Sequence, residues 1–217
     1  MRKFIVLILG FTVIFSGCGK TNPYLNYVSE LRQEIYQGFA EETEITAVYG
    51  FCESPYLNDG KTGKIIHGFI FKLKILPDET KRVLKLTKGD TEYSAAFTLD
   101  SLTGEYKATM EINENLGKEF TAALILGDKT VPVIFKSIVP DNCISYGDAL
   151  KVLENKQGAL LNSYVKDETF SAEIYMRVFV KDGAPYWYIG IAAGNDRLKA
   201  LLIDGISGEL LAVRDVI

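Results

Sequence analysis

Apolar and polar residues alternate along most of this chain, and the alternation has the period of β-strands. Residues 64–75 are the clearest case: Ile65, His67, Phe69, Phe71, Leu73 and Ile75 fall on one face, and Ile66, Gly68, Ile70, Lys72 and Lys74 on the other. Successive strand side chains point to opposite faces, so the first set is the expected core face. Similar runs cover residues 45–49, 83–87, 91–99, 105–112, 119–126 and 130–138. They are separated by the turn signals Lys88-Gly89-Asp90, Leu102-Thr103-Gly104 and Gly127-Asp128. About seven short strands at this spacing predict a β-sandwich, immunoglobulin-like in size but without the Cys…Trp…Cys signature.

Two segments carry a different period. In residues 24–40, Leu25, Val28, Leu31, Ile35 and Phe39 recur at intervals of three and four, which predicts an N-terminal helix after Asn22-Pro23. The second helix starts at Ser145, with Asp148 three residues on as a variant capping box and Ala149, Leu150, Val152 and Leu153 as its apolar face. It is expected to end near Gly158. Strands over residues 173–180, 185–192, 197–204 and 209–213 follow, so this second unit reads as one helix packed on an antiparallel meander. The linker Val139-Pro140-Asp141 precedes it. The expected fold class is mainly β (α+β), with residues 24–138 as helix plus sandwich and residues 143–217 as a small α+β unit.

The amino terminus is not part of that pattern. Arg2 and Lys3 precede an apolar run over residues 4–15, too short to span a bilayer, which needs about 20 residues, but of the length of a signal-peptide core. Phe15-Ser16-Gly17-Cys18 follows and resembles the bacterial lipobox, with Phe15 where Leu is usual. The resemblance implies removal of residues 1–17 and a lipid on Cys18, leaving 18–23 as a tether. Two or more acyl chains, at about 0.8 kcal/mol per buried CH₂, hold a protein durably at a membrane. The expected location is therefore the cell envelope, on the extracytoplasmic face of a membrane.

Residues 143 to about 215 carry the words Ser145-Tyr146-Gly147-Asp148-Ala149-Leu150, Tyr186-Trp187-Tyr188-Ile189-Gly190-Ile191 and Leu202-Ile203-Asp204-Gly205-Ile206-Ser207-Gly208-Glu209-Leu210-Leu211. This third of the chain resembles a PepSY domain, with Ser207 in place of the usual Thr. Asp204 and Ser207 are suited to cap a tight turn there. The resemblance implies a non-catalytic binding or inhibitory module and supplies no catalytic residues.

Composition narrows the chemistry. The formal charge is −4, and loss of Arg2 and Lys3 with residues 1–17 makes it −6. Basic residues are scattered, which argues against a nucleic-acid partner. His67 is the only histidine and sits on an apolar strand face, where a structural role is expected and a His-based metal site is not. The 60–64 stretch lacks P-loop spacing. Glu41, Glu42, Glu44 and Glu53 read as a solvated acidic face. Neither a cofactor nor an enzymatic activity is implied. Cys52 and Cys143 are candidates for a disulfide, which an extracytoplasmic address permits. In the aromatic run, Trp187 is expected in the core, which turns Tyr186 and Tyr188 outward as a candidate binding surface. The leading expectation is a surface-anchored protein-binding module whose partner is another envelope protein, such as a peptidase or sensor ectodomain. The alternative is a binder of small ligands or cell-wall glycans.

Overall fold

The computed structural model describes residues 22–55, 63–75, 80–194 and 197–216. Residues 1–21, including the apolar leader and Cys18, and most of the 60–64 stretch lie outside the described residues.

Among the described residues the chain is mainly β, with one α-helix. A short 3-10 turn, Pro23–Tyr27, is capped by the Asn22 side chain, which accepts from Tyr24 N–H. Nine strands follow: β1 (Val28–Ala40), β2 (Thr43–Ser54), β3 (Lys64–Leu73), β4 (Arg82–Lys88), β5 (Thr91–Ala96), β6 (Thr98–Asp100), β7 (Glu105–Glu111), β8 (Glu119–Leu126) and β9 (Lys129–Ser137). Helix α1 (Tyr146–Ser163) comes next. A two-residue pair, β10 (Val165–Lys166) and β11 (Thr169–Phe170), leads to β12 (Ala172–Lys181), β13 (Ala184–Ala193), β14 (Arg197–Asp204) and β15 (Leu210–Val216).

The expected helix over residues 24–40 is instead the end of the 3-10 turn followed by the strand β1, and the reason lies in the bulges of β1. The register shifts by one residue between Val28 and Glu30 and again between Arg32 and Glu34. A bulge inserts one residue and stretches an apolar interval of two to three, the interval of a helix. The strand, rather than the stripe, serves two cores, and Phe39 of the stripe is exposed. Val28, Leu31 and Ile35 pack with the residues under α1, whereas Tyr36 and Ala40 belong to the core of the preceding strands.

β1 is also where the sheet branches. One edge pairs with β2 along its length. The other edge pairs with β12 in parallel over Val28 to Arg32, then with β9 antiparallel at Tyr36 and Gln37. The expected pair of stacked sheets is not what forms. The N-terminal strands make one continuous ladder, β5-β4-β8-β9-β1-β2-β3-β7-β6, which curls until β5 and β7 come within contact of each other. Phe69, Phe71, Ile45, Leu84, Val133 and Phe135 are buried inside the curl. The expected core face of β3 is thus the core face from Phe69 to Leu73.

The other branch is β12-β13-β14-β15, an antiparallel meander covered on one face by α1. Ala149, Leu150, Leu153 and Leu161 of the helix meet Ile174, Met176, Trp187, Ile189, Ile191 and Ile203. Each of the larger apolar side chains contributes about 1.5–3 kcal/mol on burial. Ser145 caps α1 as expected, its Oγ accepting from Asp148 N–H at 3.1 Å. The helix runs past the expected end at Gly158, to Ser163, after a break in helical backbone at Gln157 (φ −130°, ψ 26°). The turn between β14 and β15 is built as anticipated. Asp204 Oδ1 accepts from the backbone of Ile206 and Ser207, and Ser207 Oγ accepts from Glu209 N–H.

Candidate functional site

Because α1 covers one face of the meander, alternation along β13 decides which side chains remain outside. Trp187, Ile189 and Ile191 turn under the helix; Trp187 is 2% exposed and its Nε1 donates to Ile144 O at 3.0 Å. Tyr186 and Tyr188 therefore turn to the opposite, helix-free face, where both are half-buried. Each stacks on a ring from β12, Tyr186 on its direct cross-strand partner and Tyr188 on a diagonal neighbour, since Arg177 stands opposite it. Tyr186 lies on Phe179 with centroids 5.4 Å apart, and Tyr188 on Tyr175 at 6.3 Å. Such pairs add about 0.5–1.5 kcal/mol beyond area burial and hold the rings in fixed positions.

Beside this aromatic strip, along the same face, lies a cluster that sequence reasoning missed. Glu30 on β1 accepts from Arg32 Nε at 2.9 Å through one oxygen and from Arg177 Nη2 at 3.0 Å through the other. The guanidinium of Arg177 also stands 6.0 Å from the Tyr175 ring centroid. Two clefts share Glu30 and Arg177. The first, about 450 Å³, is lined by Glu30, Tyr175, Arg177 and Tyr188. The second, about 290 Å³, adds Arg32, Val48, Ile70, Lys72, Lys107 and Val178. Lys107 on β7 and Arg177 on β12 are separated in the sheet order by β1, β2 and β3. The twist of the sheet brings them to one cleft. Lys72 and Ile70 belong to the even face of β3, a polar and apolar mixture that was the available signal for a functional surface.

The other singled-out residues lie elsewhere. Cys52 and Cys143 are both free thiols, and no disulfide joins them. Burial pushes the Cys143 thiol upward, which keeps it protonated and a poor nucleophile at neutral pH. His67 is half-buried with its ring 5.4 Å from that of Phe51. The carboxylates are not gathered. Glu41 pairs with Lys129 at the β1–β2 turn, Glu44 accepts from Gln37, and Glu53 is buried near the far end of β2. Among the described residues no group of three or more His, Cys, Asp or Glu side chains is placed to hold a metal ion. No helix among them is long and apolar enough to cross a membrane.

Comparison with known protein families, characterised proteins and solved structures finds no match to this chain.

Proposed function

We propose that this chain is a lipid-anchored, extracytoplasmic binding protein without catalytic activity, and that it binds through the helix-free face of its sheet. The observation that carries this reading is the aromatic strip of Tyr186, Phe179, Tyr188 and Tyr175, stacked in pairs on the face opposite α1. Tyrosine supplies large contact area at little conformational cost, which suits a docking anchor. The lipobox-like Phe15-Ser16-Gly17-Cys18 supports the anchor, and the PepSY-like words of residues 143–215 support a binding or inhibitory role toward an envelope peptidase or sensor. Asn22, four residues after Cys18 in sequence, is tied to the α1 side of the body, its Nδ2 donating to Glu154 Oε2 at 2.9 Å, so a lipid on Cys18 would hold that body close to the membrane surface.

Two experiments test the parts separately. Labelled palmitate is incorporated by the wild type and not by Cys18→Ser; equal labelling removes the anchor. Crosslinking in intact cells captures a protein partner with the wild type and loses it with the Tyr186→Ala, Tyr188→Ala double variant. Failure to capture any protein counts against a protein partner. The glycan or small-ligand reading is favoured by the two contiguous clefts, whose walls offer side chains and almost no unpaired backbone.

A further inference from the structure

We infer that the cleft between Arg32, Lys72, Lys107 and Arg177 is a binding site for an anionic saccharide, a sugar chain carrying carboxylate or phosphate groups. This rests on the glycan reading above and names the class of glycan.

Charge is the first argument. The chain is acidic overall, at −4, yet four cations line this one cleft and, among the described residues, Glu30 is the only carboxylate that lines it. Glu30 and Asp100 pair with three of these cations, and the remaining excess of positive charge in a concave site attracts anions from solution. Preorganisation is the second. Glu30 spends one oxygen on each arginine, so a single carboxylate fixes two guanidinium planes. The Arg32 side chain is only 12% exposed and has little freedom left to lose. A guanidinium carries five N–H donors in a fork matched to carboxylate and phosphate. Each of these spends one donor on Glu30. Lys72 is without an ion-pair partner among the described residues, while Lys107 is paired with Asp100.

Backbone pairing separates a sugar from a peptide. An extended peptide binds a sheet by adding a strand to a free edge. Here the lining residues are paired on both sides: Glu30 with Tyr175 and Cys52, Arg32 with Arg177 and Gly50, Val48 with Ile35 and Ile70, Lys72 with Thr46 and Lys107. The cleft must therefore hold its ligand by side chains. The adjoining aromatic cleft supplies the rest. Tyr188 and Tyr175 offer a wall for a sugar ring next to Arg177, which lines both clefts.

The test uses the full-length chain in detergent micelles and isothermal titration at low salt. The probes are tetragalacturonate, phosphorylated maltotetraose, the neutral methyl ester of tetragalacturonate, chitotetraose and a hexaglutamate peptide. One or both anionic sugars bind, the methyl ester binds at least tenfold more weakly, and half-molar salt weakens binding by a similar factor. Arg177→Gln and the Lys72→Gln, Lys107→Gln pair each lose tenfold or more while keeping the wild-type circular dichroism. Wild-type affinity in those folded variants, or equal binding of ester and acid, overturns the assignment. Binding of chitotetraose alone overturns the anion requirement and leaves the glycan reading standing. Binding of hexaglutamate alone overturns both in favour of a protein ligand, and binding of none overturns both.

Discussion

Gly190 stands opposite Tyr175 on the paired strands β12 and β13, and the tyrosine ring lies in the space that a Cβ on residue 190 would need. The glycine is what lets the ring lie across β13 beside Tyr188. The atoms that would collide are the far end of the Tyr175 ring, which can swing away. Only a side-chain tip has to move, so Gly190→Ala should cost no more than the low end of overpacking, about 1 kcal/mol. It should weaken ligand or partner capture as much as Tyr188→Ala does. Thermal melting and capture, measured on the same preparations, check this. A large loss of melting temperature would show that the ring is locked by more than its stacking on Tyr188.

Gly50 gives the opposite outcome from a similar crowding. It pairs with Arg32, where β1 bulges, and a Cβ there would meet the Leu31 carbonyl, which is backbone and cannot turn aside. Overpacking of this kind costs about 1–3 kcal/mol. Gly50→Ala should fall at the upper end of that range, seen as a lower urea midpoint. Because the bulge positions Arg32, anion binding should fall as well. An unchanged midpoint would mean that β1 shifts at no cost.

These two glycines also mark where reading the residues succeeds and fails. Tyr186 and Tyr188 were legible as outward residues because Trp187 between them is strongly apolar and β13 has no bulge. The strands of the N-terminal half were legible for the same reason. β1 was not, since two inserted residues turn a strand period into a helical one. Nor does alternation say which strands pair, so a single curled ladder and two stacked sheets give the same pattern. The cationic cleft was hidden most deeply. Its residues come from β1, β2, β3, β7 and β12, and only sheet twist places Lys107 near Arg177.

Ser145 and Asp148 make a reciprocal cap at the start of α1. Ser145 Oγ accepts from Asp148 N–H and donates to Asp148 Oδ2 at 2.7 Å. That hydrogen bond is the main reason the Asp148 carboxyl is held below its ordinary range, with Lys151 assisting. Ser145→Ala should cost about 1 kcal/mol, the usual worth of an N-cap side chain. It should also move the Asp148 titration up toward the normal carboxylate range, followed by carbon-detected NMR. A titration that stays in place would assign the shift to Lys151 instead.

Tyr36 gives the fold an alkaline limit. Its ring is fully buried against Phe69 and Phe120, and its hydroxyl hydrogen-bonds Gly117 O at 2.8 Å and Asn115 Oδ1 at 3.0 Å. Burial first, and then the charge of Glu34, push its ionisation well above the ordinary phenol value of 10.0. Below pH 10 the phenol is neutral in both folded and unfolded chains, so it adds no pH dependence there. Above pH 10 the unfolded chain ionises while the folded chain holds its proton. Stability then falls with rising pH, by up to about 1.4 kcal/mol per pH unit for one such group. Tyr36→Phe should lose about 1–2 kcal/mol at pH 7, because the single O–H shared between Gly117 O and Asn115 Oδ1 is lost, although Asn115 Oδ1 keeps the Gly117 N–H. Its stability should nevertheless decline less steeply between pH 10 and 11.5 than that of the wild type. The decline does not vanish, because burial also raises Tyr49 and Tyr24. Urea titrations at pH 7, 10, 11 and 11.5 on both proteins decide the matter. Parallel curves across that range would mean that Tyr36 opens to solvent before the fold is lost.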